Sequence, residues 1–149
     1  MSRRKQQGLT TVEFAICGAV VITMILAVIE LSRAMFMLSV LKESTRRAAR
    51  VAAVCPINDP AIGAAGTFAK MPGFSSSNVV TEYLNSTGGV IGDPAGNFGT
   101  IDYVRVRLVN YKLQLWIPFM NAAFQAPSFS VTLPRESLGI PRTGVVTPC

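Results

Sequence analysis

Residues 14–29 read FAICGAVVITMILAVI, a run of sixteen residues that carries no formal charge. With residues 9–12 the run is long enough to cross a bilayer, which takes about 20 apolar residues in a helix. A buried helix of a soluble protein is the alternative, but a chain of 149 residues has little interior in which to cover a helix that is apolar on all sides. We therefore predict a transmembrane helix over residues 9–30.

A basic cluster, Arg3-Arg4-Lys5, precedes this run, as it would in a secretory signal peptide. The run exceeds the usual apolar core of such peptides, which is about 7 to 15 residues long. A second helical pattern, ELSRAMFMLSVLKESTRRAARVAAV, follows over residues 30–54 without a break. Removing the run would cut a continuous helix, so we favour a retained membrane segment.

The second pattern carries an apolar stripe and ends at Cys55-Pro56, because proline cannot continue a helix and restricts the residue before it. We predict one helix over residues 9–54, about 69 Å long, with residues 31–55 projecting from the membrane. The stripe residues recur at steps of three and four: Leu31, Ala34, Leu38, Leu41, Thr45, Ala48 and Ala52.

Residues 56–149 have the composition of a small head domain. Residues 56–100 are rich in glycine, proline, serine and asparagine, which indicates loops with limited regular structure. One short helix is predicted over residues 77–84, where Asn78 or a neighbouring serine could act as the N-cap.

Strands are predicted in the last third of the chain. Apolar and polar residues alternate over residues 101–108 and again over 109–117, but the phase slips at Leu108-Val109. Either a bulge or a change of partner strand must absorb that slip. Another strand is predicted over residues 129–133, with residues 121–127 as its connection.

These strands need a second apolar surface, because a sheet of two strands is marginal by itself. The outer half of the long helix is the only sizeable one that the sequence offers. We therefore predict an α+β fold, in which a long N-terminal helix carries a small β-containing head.

The stretch KQQGLTTVEF, residues 5–14, places Gly8 and Glu13 at the start of the apolar run. It resembles the class III signal of type IV-like prepilins, in which a basic leader ends in glycine and a glutamate stands fifth after the cut. The segments VEFA, IELSRAMF and ESTRRAARVAAV further resemble the N-terminal helix of the TadE-like minor pilins, or pseudopilins, of the tight-adherence (Tad/Flp) type IV pilus system. This resemblance also implies a pilin-like arrangement of helix and head.

The resemblance implies that residues 1–8 are a basic leader and that the chain is a substrate of a prepilin peptidase. The cut would fall between Gly8 and Leu9, at the cytoplasmic face of the membrane. A residue without a side chain suits a cleavage site, because it lets the catalytic groups of the peptidase approach the scissile carbonyl.

Cleavage there would free an amine at Leu9, and Glu13 lies one helical turn further on the same face. A carboxylate in the first turn also complements the partial positive charge of a helix start. An unpaired carboxylate at membrane depth is costly, so the Leu9 amine of the same chain or of a neighbouring subunit is its expected partner. The resemblance favours the neighbour and makes Glu13, with Phe14 beside it, an assembly residue; the alternative is a simple interfacial charge.

The chain has three cysteines, at positions 17, 55 and 149. Cys17 lies in the apolar run, whereas Cys55 ends the helix and Cys149 ends the chain, an arrangement suited to a disulfide. In the chain-entropy model, closing such a loop contributes about 4 to 5 kcal/mol. The bond would persist only in an oxidising compartment such as a periplasm, and two free thiols are the alternative.

The positive-inside rule does not decide the orientation, because basic residues lie on both sides of the predicted span. A peptidase acting at the cytoplasmic face and a disulfide both favour a periplasmic head. We therefore expect a single-pass protein of the bacterial inner membrane with its N-terminus in the cytoplasm.

Several function classes receive little support. The chain has no histidine, and no spacing of its cysteines and carboxylates predicts a metal site or a cofactor. The carboxylates of the head, Glu82, Asp93, Asp102 and Glu136, are scattered, so we expect no enzyme. The positive charge is concentrated in residues 1–54, which argues against a nucleic-acid-binding head.

Two surface features have competing interpretations. The cluster Arg46-Arg47-Arg50 could bind an acidic partner or lipid headgroups, although a solvated helix face is the preferred account. Trp116 and Phe119 could anchor the head to a membrane or a partner, although packing in the core of the head is preferred.

The resemblance thus predicts a minor pilin that is processed after Gly8 and helps to build a tight-adherence pilus used in surface attachment. Its expected partners are the prepilin peptidase, other pilins or minor pilins, the Tad assembly platform and the lipid of the inner membrane. It would either remain in the membrane or enter the pilus. The alternative is an unprocessed single-pass membrane protein whose periplasmic head binds an envelope partner.

Overall fold

A computed structural model describes residues 7–117, 120–140, 144–146 and 148–149. It contains a 48-residue helix, α1 (Gln7–Val54), followed by a small head of antiparallel strands, so the predicted α+β fold is confirmed. At about 1.5 Å per residue α1 is about 72 Å long. It begins two residues earlier than predicted and ends at the predicted residue.

The two halves of α1 have different surroundings. The apolar stripe is fully buried at Leu41, Thr45, Ala48 and Ala52, where the head packs against the helix. Leu31, in contrast, is 65% exposed, so the stripe is covered only towards its C-terminal end. Alanine predominates in the covered part, which lets strands of the head approach the helix backbone closely.

Residues 56–100 hold more regular structure than expected. Helix α2 (Pro60–Gly66) begins at Asp59, whose carboxylate accepts a hydrogen bond from the Ala61 N–H at 2.8 Å. The helix predicted over residues 77–84 is wrong: a single 3₁₀ turn, Ser76–Asn78, leads into strand β1 (Val79–Leu84). The turn has its own cap, but the β-branched and aromatic residues that follow favour a strand.

The main sheet has three antiparallel strands in the order β1-β2-β5, where β2 is Tyr103–Leu108 and β5 is Ser130–Pro134. Its central strand lies across α1, and Val104 and Val106 of that strand are fully buried. The predicted packing of the sheet on the outer half of the helix is therefore confirmed. The core of this interface consists of Ala48, Ala49, Ala52, Ile62, Tyr83, Ile101, Val104, Val106 and Leu138.

The phase slip is a change of partner strand and not a bulge. The chain leaves the main sheet after Leu108 and enters a separate hairpin, the β3–β4 hairpin, formed by β3 (Lys112–Ile117) and β4 (Met120–Gln125). Asn110, between the two sheets, has a φ of 54°, a left-handed conformation that asparagine adopts more readily than most residues.

The prediction of residues 121–127 as a connection is consequently wrong, since most of them form β4. Asparagine, alanine and glutamine have little preference for strands, so pairing with β3 and not local propensity determines this element. The register joins Leu113 to Phe124 and Trp116 to Asn121.

Candidate functional site

The N-terminal half of α1 carries the residues that the sequence singled out. Gly8, Leu9, Glu13 and Phe14 all lie in one continuous helical segment, and the backbone of α1 runs through the predicted cut. Residues 1–6 of the predicted leader lie outside the described residues. Glu13 is exposed, and Phe14 beside it is 80% exposed.

Leu9 and Glu13 are one helical turn apart, which places the Leu9 nitrogen and the Glu13 residue on one face, separated by about 6 Å along the axis. In the described part of the chain no basic side chain forms an ion pair with Glu13. The geometry thus leaves the carboxylate accessible to a cation from its own N-terminus or from another chain.

The apolar segment is not covered by the head. Among the described residues there is one helix that is long and apolar enough to cross a membrane, and its most apolar 18-residue window is entirely unburied. The side chains that it exposes include Val20, Ile22, Met24, Leu26, Val28 and Ile29. A helix with an exposed apolar circumference of this length is suited to lipid or to other apolar helices.

A polar cluster closes the apolar segment at its head end. The Glu30 carboxylate accepts hydrogen bonds from the Arg33 guanidinium, with Nε at 3.0 Å, and from the backbone N–H of Trp116 at 2.9 Å. The same guanidinium donates to the backbone carbonyl of Gln114 and lies 5.6 Å from the centre of the Trp116 ring. Strand β3 is thereby attached to the helix where the charge-free run ends.

Sequence patterns do not predict this cluster. The spacing of Glu30 and Arg33, one turn apart, was a signal for an ion pair, but nothing local pointed to a strand 86 residues further on. The preferred placement of Trp116 in the core is wrong, because its side chain is 79% exposed. Phe119, which was grouped with it, lies outside the described residues.

The carboxylates of the head mostly have structural partners. Glu82 on β1 receives Arg105 and Arg107 from β2, with closest N···O distances of 2.6 Å to each. The Asp93 carboxylate accepts a hydrogen bond from the Gly96 N–H at 3.1 Å in a loop. Within the described residues no group of three or more cysteines and carboxylates is placed to hold a metal ion.

The three arginines of the basic cluster, Arg46, Arg47 and Arg50, are all exposed. Arg47 also pairs with Glu43 at 2.9 Å and lies 3.9 Å from the centre of the Phe68 ring. The hydrogen bond from Arg47 lowers the pKa of the Glu43 carboxyl. The cluster is therefore partly a packing feature, in keeping with the preferred account of a solvated helix face.

Cys55 and Cys149 are joined by a disulfide, with 5.7 Å between their Cα atoms and 94 residues between them in sequence. Cys55 is buried at the end of α1, and the Cys149 N–H faces the Asp59 carboxylate at 3.4 Å. Cys17 is a free thiol exposed on the apolar segment.

Comparison with known proteins finds a family similarity over most of α1. The model of the TadE-like protein family matches residues 8–50, a stretch that contains Gly8, Leu9, Glu13, Phe14 and the Glu30–Arg33 pair. No curated protein and no solved structure matches the chain. This family is associated with the tight-adherence pilus, and together with the uncovered helix it points to a pilus-associated membrane protein. Over residues 8–50, then, the chain is similar to the TadE-like proteins.

Proposed function

We propose that this protein is a TadE-like minor pilin, or pseudopilin, that a prepilin peptidase cuts after Gly8 and that takes part in assembly of a tight-adherence pilus used in surface attachment. The observation that carries the proposal is the uncovered apolar half of α1 with Glu13 at its start. The TadE-like match over residues 8–50 supports it, because the match begins at the proposed last residue of the leader.

The proposal assigns a role to each part of the chain. Residues 1–8 are the leader, 9–30 span the membrane, 31–55 project from it, and 56–149 form the head. Residues 9–30 hold the protein in the inner membrane and later pack laterally against other pilin helices. The head faces the periplasm, where the bond between Cys55 and Cys149 is stable.

Processing explains why a carboxylate is tolerated at the start of this segment. The cut converts the Leu9 amide nitrogen into an ammonium group one turn from Glu13, and a charge pair is far less costly at membrane depth than a lone charge. A neighbouring subunit can supply the same cation. Phe14, adjacent to Glu13 and exposed, packs against the neighbouring helix.

The partners in this proposal are the prepilin peptidase, other pilins or minor pilins, the Tad assembly platform and membrane lipid. The proposal gives no part to catalysis, and it assigns the Glu82 carboxylate, which pairs with Arg105 and Arg107, to joining β1 to β2.

Intact-mass measurement tests the processing step. The full chain is produced in cells with and without an active prepilin peptidase, and the mature protein is expected to lack residues 1–8 only when the peptidase is present. Gly8→Leu is expected to block the cut. Gly18→Leu is the matched control, because a side chain at that helical glycine meets no neighbouring atom within 4 Å.

A wild-type chain that keeps its leader while the same peptidase cuts a reference prepilin would contradict processing. It would favour the unprocessed single-pass protein whose head binds an envelope partner. Equal cleavage of the wild type and the Gly8→Leu variant would instead show that the peptidase cuts at another position.

A further inference from the structure

The β3–β4 hairpin and α1 enclose an apolar groove beside the end of the spanning segment. Leu115 and Trp116 form one wall, and the helix forms the other from Thr23 to Ala34. The groove has a volume of about 310 Å³ and is open on one side. Its remaining lining residues are Leu26, Ala27, Glu30 and Leu31.

The position of the groove along the helix determines its surroundings. Thr23, Leu26 and Ala27 belong to the charge-free run, and seven residues separate Thr23 from Glu30, which is about 10 Å along the axis. The headgroup layer on each side of a bilayer is about 5 to 7 Å thick. If the membrane covers the apolar segment up to Glu30, its headgroup layer also reaches Leu115 and Trp116, the groove wall formed by β3.

The hairpin is fixed at this depth by polar contacts with α1, in addition to the packing of Leu113 in the cluster around Leu41. The Glu30 carboxylate accepts a hydrogen bond from the Trp116 N–H, and Arg33 donates one to the Gln114 carbonyl. Two residues of β3 are therefore attached to α1 where the apolar segment ends. The indole ring remains 79% exposed. Tryptophan is enriched at membrane–water interfaces because its ring is apolar while its N–H seeks a polar partner.

We propose that the β3–β4 hairpin is a membrane-interface anchor: Trp116 lies in the headgroup layer of the leaflet on the side of the head, and the acyl chain of a phospholipid occupies the groove. The groove is continuous with the exposed apolar surface of α1, which lipid surrounds before assembly. The Glu30–Arg33 pair marks the polar boundary, and its guanidinium faces the Trp116 ring. This inference rests on membrane insertion, as the proposed function does, but not on processing or assembly.

The anchor has a consequence for the head. Because β3 is attached at the membrane surface and the main sheet is attached further out on α1, the head is held against the bilayer at one edge. Tilting of the head away from the membrane would require removal of Trp116 from the interface.

Tryptophan fluorescence tests the proposal directly, because Trp116 is the only tryptophan in the chain. The full chain is reconstituted in phosphatidylcholine vesicles at a low protein-to-lipid ratio. Emission is expected at a shorter wavelength than for free indole in water. Quenching is expected to be strongest with lipids labelled near the glycerol end of the acyl chain, and weaker with lipids labelled near the methyl end or with aqueous iodide.

A pair of helix variants separates the anchor from general effects of charge. Glu30→Ala removes the acceptor for Trp116 and Arg33, and it is expected to shift the emission to longer wavelength and to reduce lipid quenching. Glu43→Ala, which removes the other carboxylate paired with arginine on α1, is expected to leave both readouts unchanged. Helix content and disulfide formation are measured for both variants to establish that each is folded.

Two results would overturn the proposal. In the first, the wild-type indole is quenched freely by iodide and not by labelled lipid, so the hairpin lies in water. In the second, the indole is shielded from iodide only at a high protein-to-lipid ratio and is not quenched by labelled lipid at any ratio, so a second copy of the chain and not lipid fills the groove. Neither result depends on cleavage after Gly8, so failure of the anchor is distinguishable from failure of the proposed function.

Discussion

Glu13 and Glu30 are two carboxylates at opposite ends of one apolar segment, and their partners differ. Glu30 is satisfied within the chain by Arg33 and by the backbone of β3. Glu13 is exposed and forms no ion pair with any residue that the structure describes. Glu30 therefore helps to hold the protomer together. Glu13 is available to a cation from another chain or to the amine that cleavage would create.

Replacing Glu13 by alanine is expected to abolish or strongly reduce pilus assembly while leaving membrane insertion and processing intact. The physical reason is that the Leu9 ammonium loses its counter-charge in an apolar environment. Piliation is scored by electron microscopy, and the mass of the mature protein is measured in parallel. Glu43→Ala serves as the control, and normal piliation in the Glu13→Ala strain would remove the proposed role.

The stability of the head is expected to depend on pH through Tyr83. Burial raises the pKa of its phenol above the ordinary value, and the hydroxyl oxygen accepts a hydrogen bond from the Asn58 N–H at 3.1 Å. Because the folded pKa exceeds the unfolded one, its contribution to stability is complete below about pH 10 and is lost as the pH rises through the folded pKa.

Denaturant unfolding of the full chain in detergent micelles, followed by near-ultraviolet circular dichroism, is the measurement. The free energy of unfolding is expected to fall above about pH 10, and to fall less steeply in the Tyr83→Phe variant. The remaining slope comes from Tyr111, whose pKa burial also raises. Identical slopes in the wild type and the variant would contradict this assignment.

At the scale of elements, α1 could be predicted to within two residues because its signals are local. The charge-free run and the stripe lie within α1, and the Cys55-Pro56 stop follows it directly. Strands β1 and β4 could not be predicted, because β1 follows a serine-rich turn that resembles a helix cap and β4 has a weak strand propensity. Pairing with residues distant in sequence determines both elements.

The candidate site shows the same division. Gly8 and Glu13 could be proposed from the six residues 8–13, since their proposed chemistry depends on spacing along one helix. The Glu30–Trp116 contact joins α1 to β3, so it depends on how the head docks. From the sequence alone, Trp116 was consistent with a place either in the core or at an interface, and the docking of the head decides between them.

The alanine-rich face of α1 leaves little room for larger side chains beneath the head. Ala48 is fully buried in the core of the head, so Ala48→Leu is expected to destabilise the head by about 1 to 3 kcal/mol through overpacking. Chemical denaturation of the full chain in micelles measures the effect. Ala64→Leu, at an exposed position of α2, is the matched control, and an equal effect of the two substitutions would refute the constraint.

At the scale of the whole molecule, the N-terminal half of α1 is apolar and exposed, and the compact head covers only the C-terminal half. The same uncovered surface meets lipid before assembly and other helices afterwards in the proposed function. Its composition therefore has to suit both environments, and the absence of charge over residues 14–29 meets that requirement.

The disulfide predicts a large effect on the stability of the whole head. Cys149→Ser is expected to lower its free energy of unfolding by about 2 to 5 kcal/mol, because the bond closes almost the entire head into a loop. The variant and the oxidised wild type are compared by denaturation, with Cys17→Ser as the control. Equal stability, or alkylation of all three cysteines in the protein isolated without a reductant, would contradict the bond.

The same bond places both ends of the head's chain at a single covalent point, the end of α1. If the protein enters a pilus, as the proposed function allows, tension along the fibre would run through α1 and its lateral contacts. Because residues 55 and 149 are covalently joined, pulling on α1 would not extend the polypeptide between them. The disulfide would in this way protect the head from mechanical unfolding.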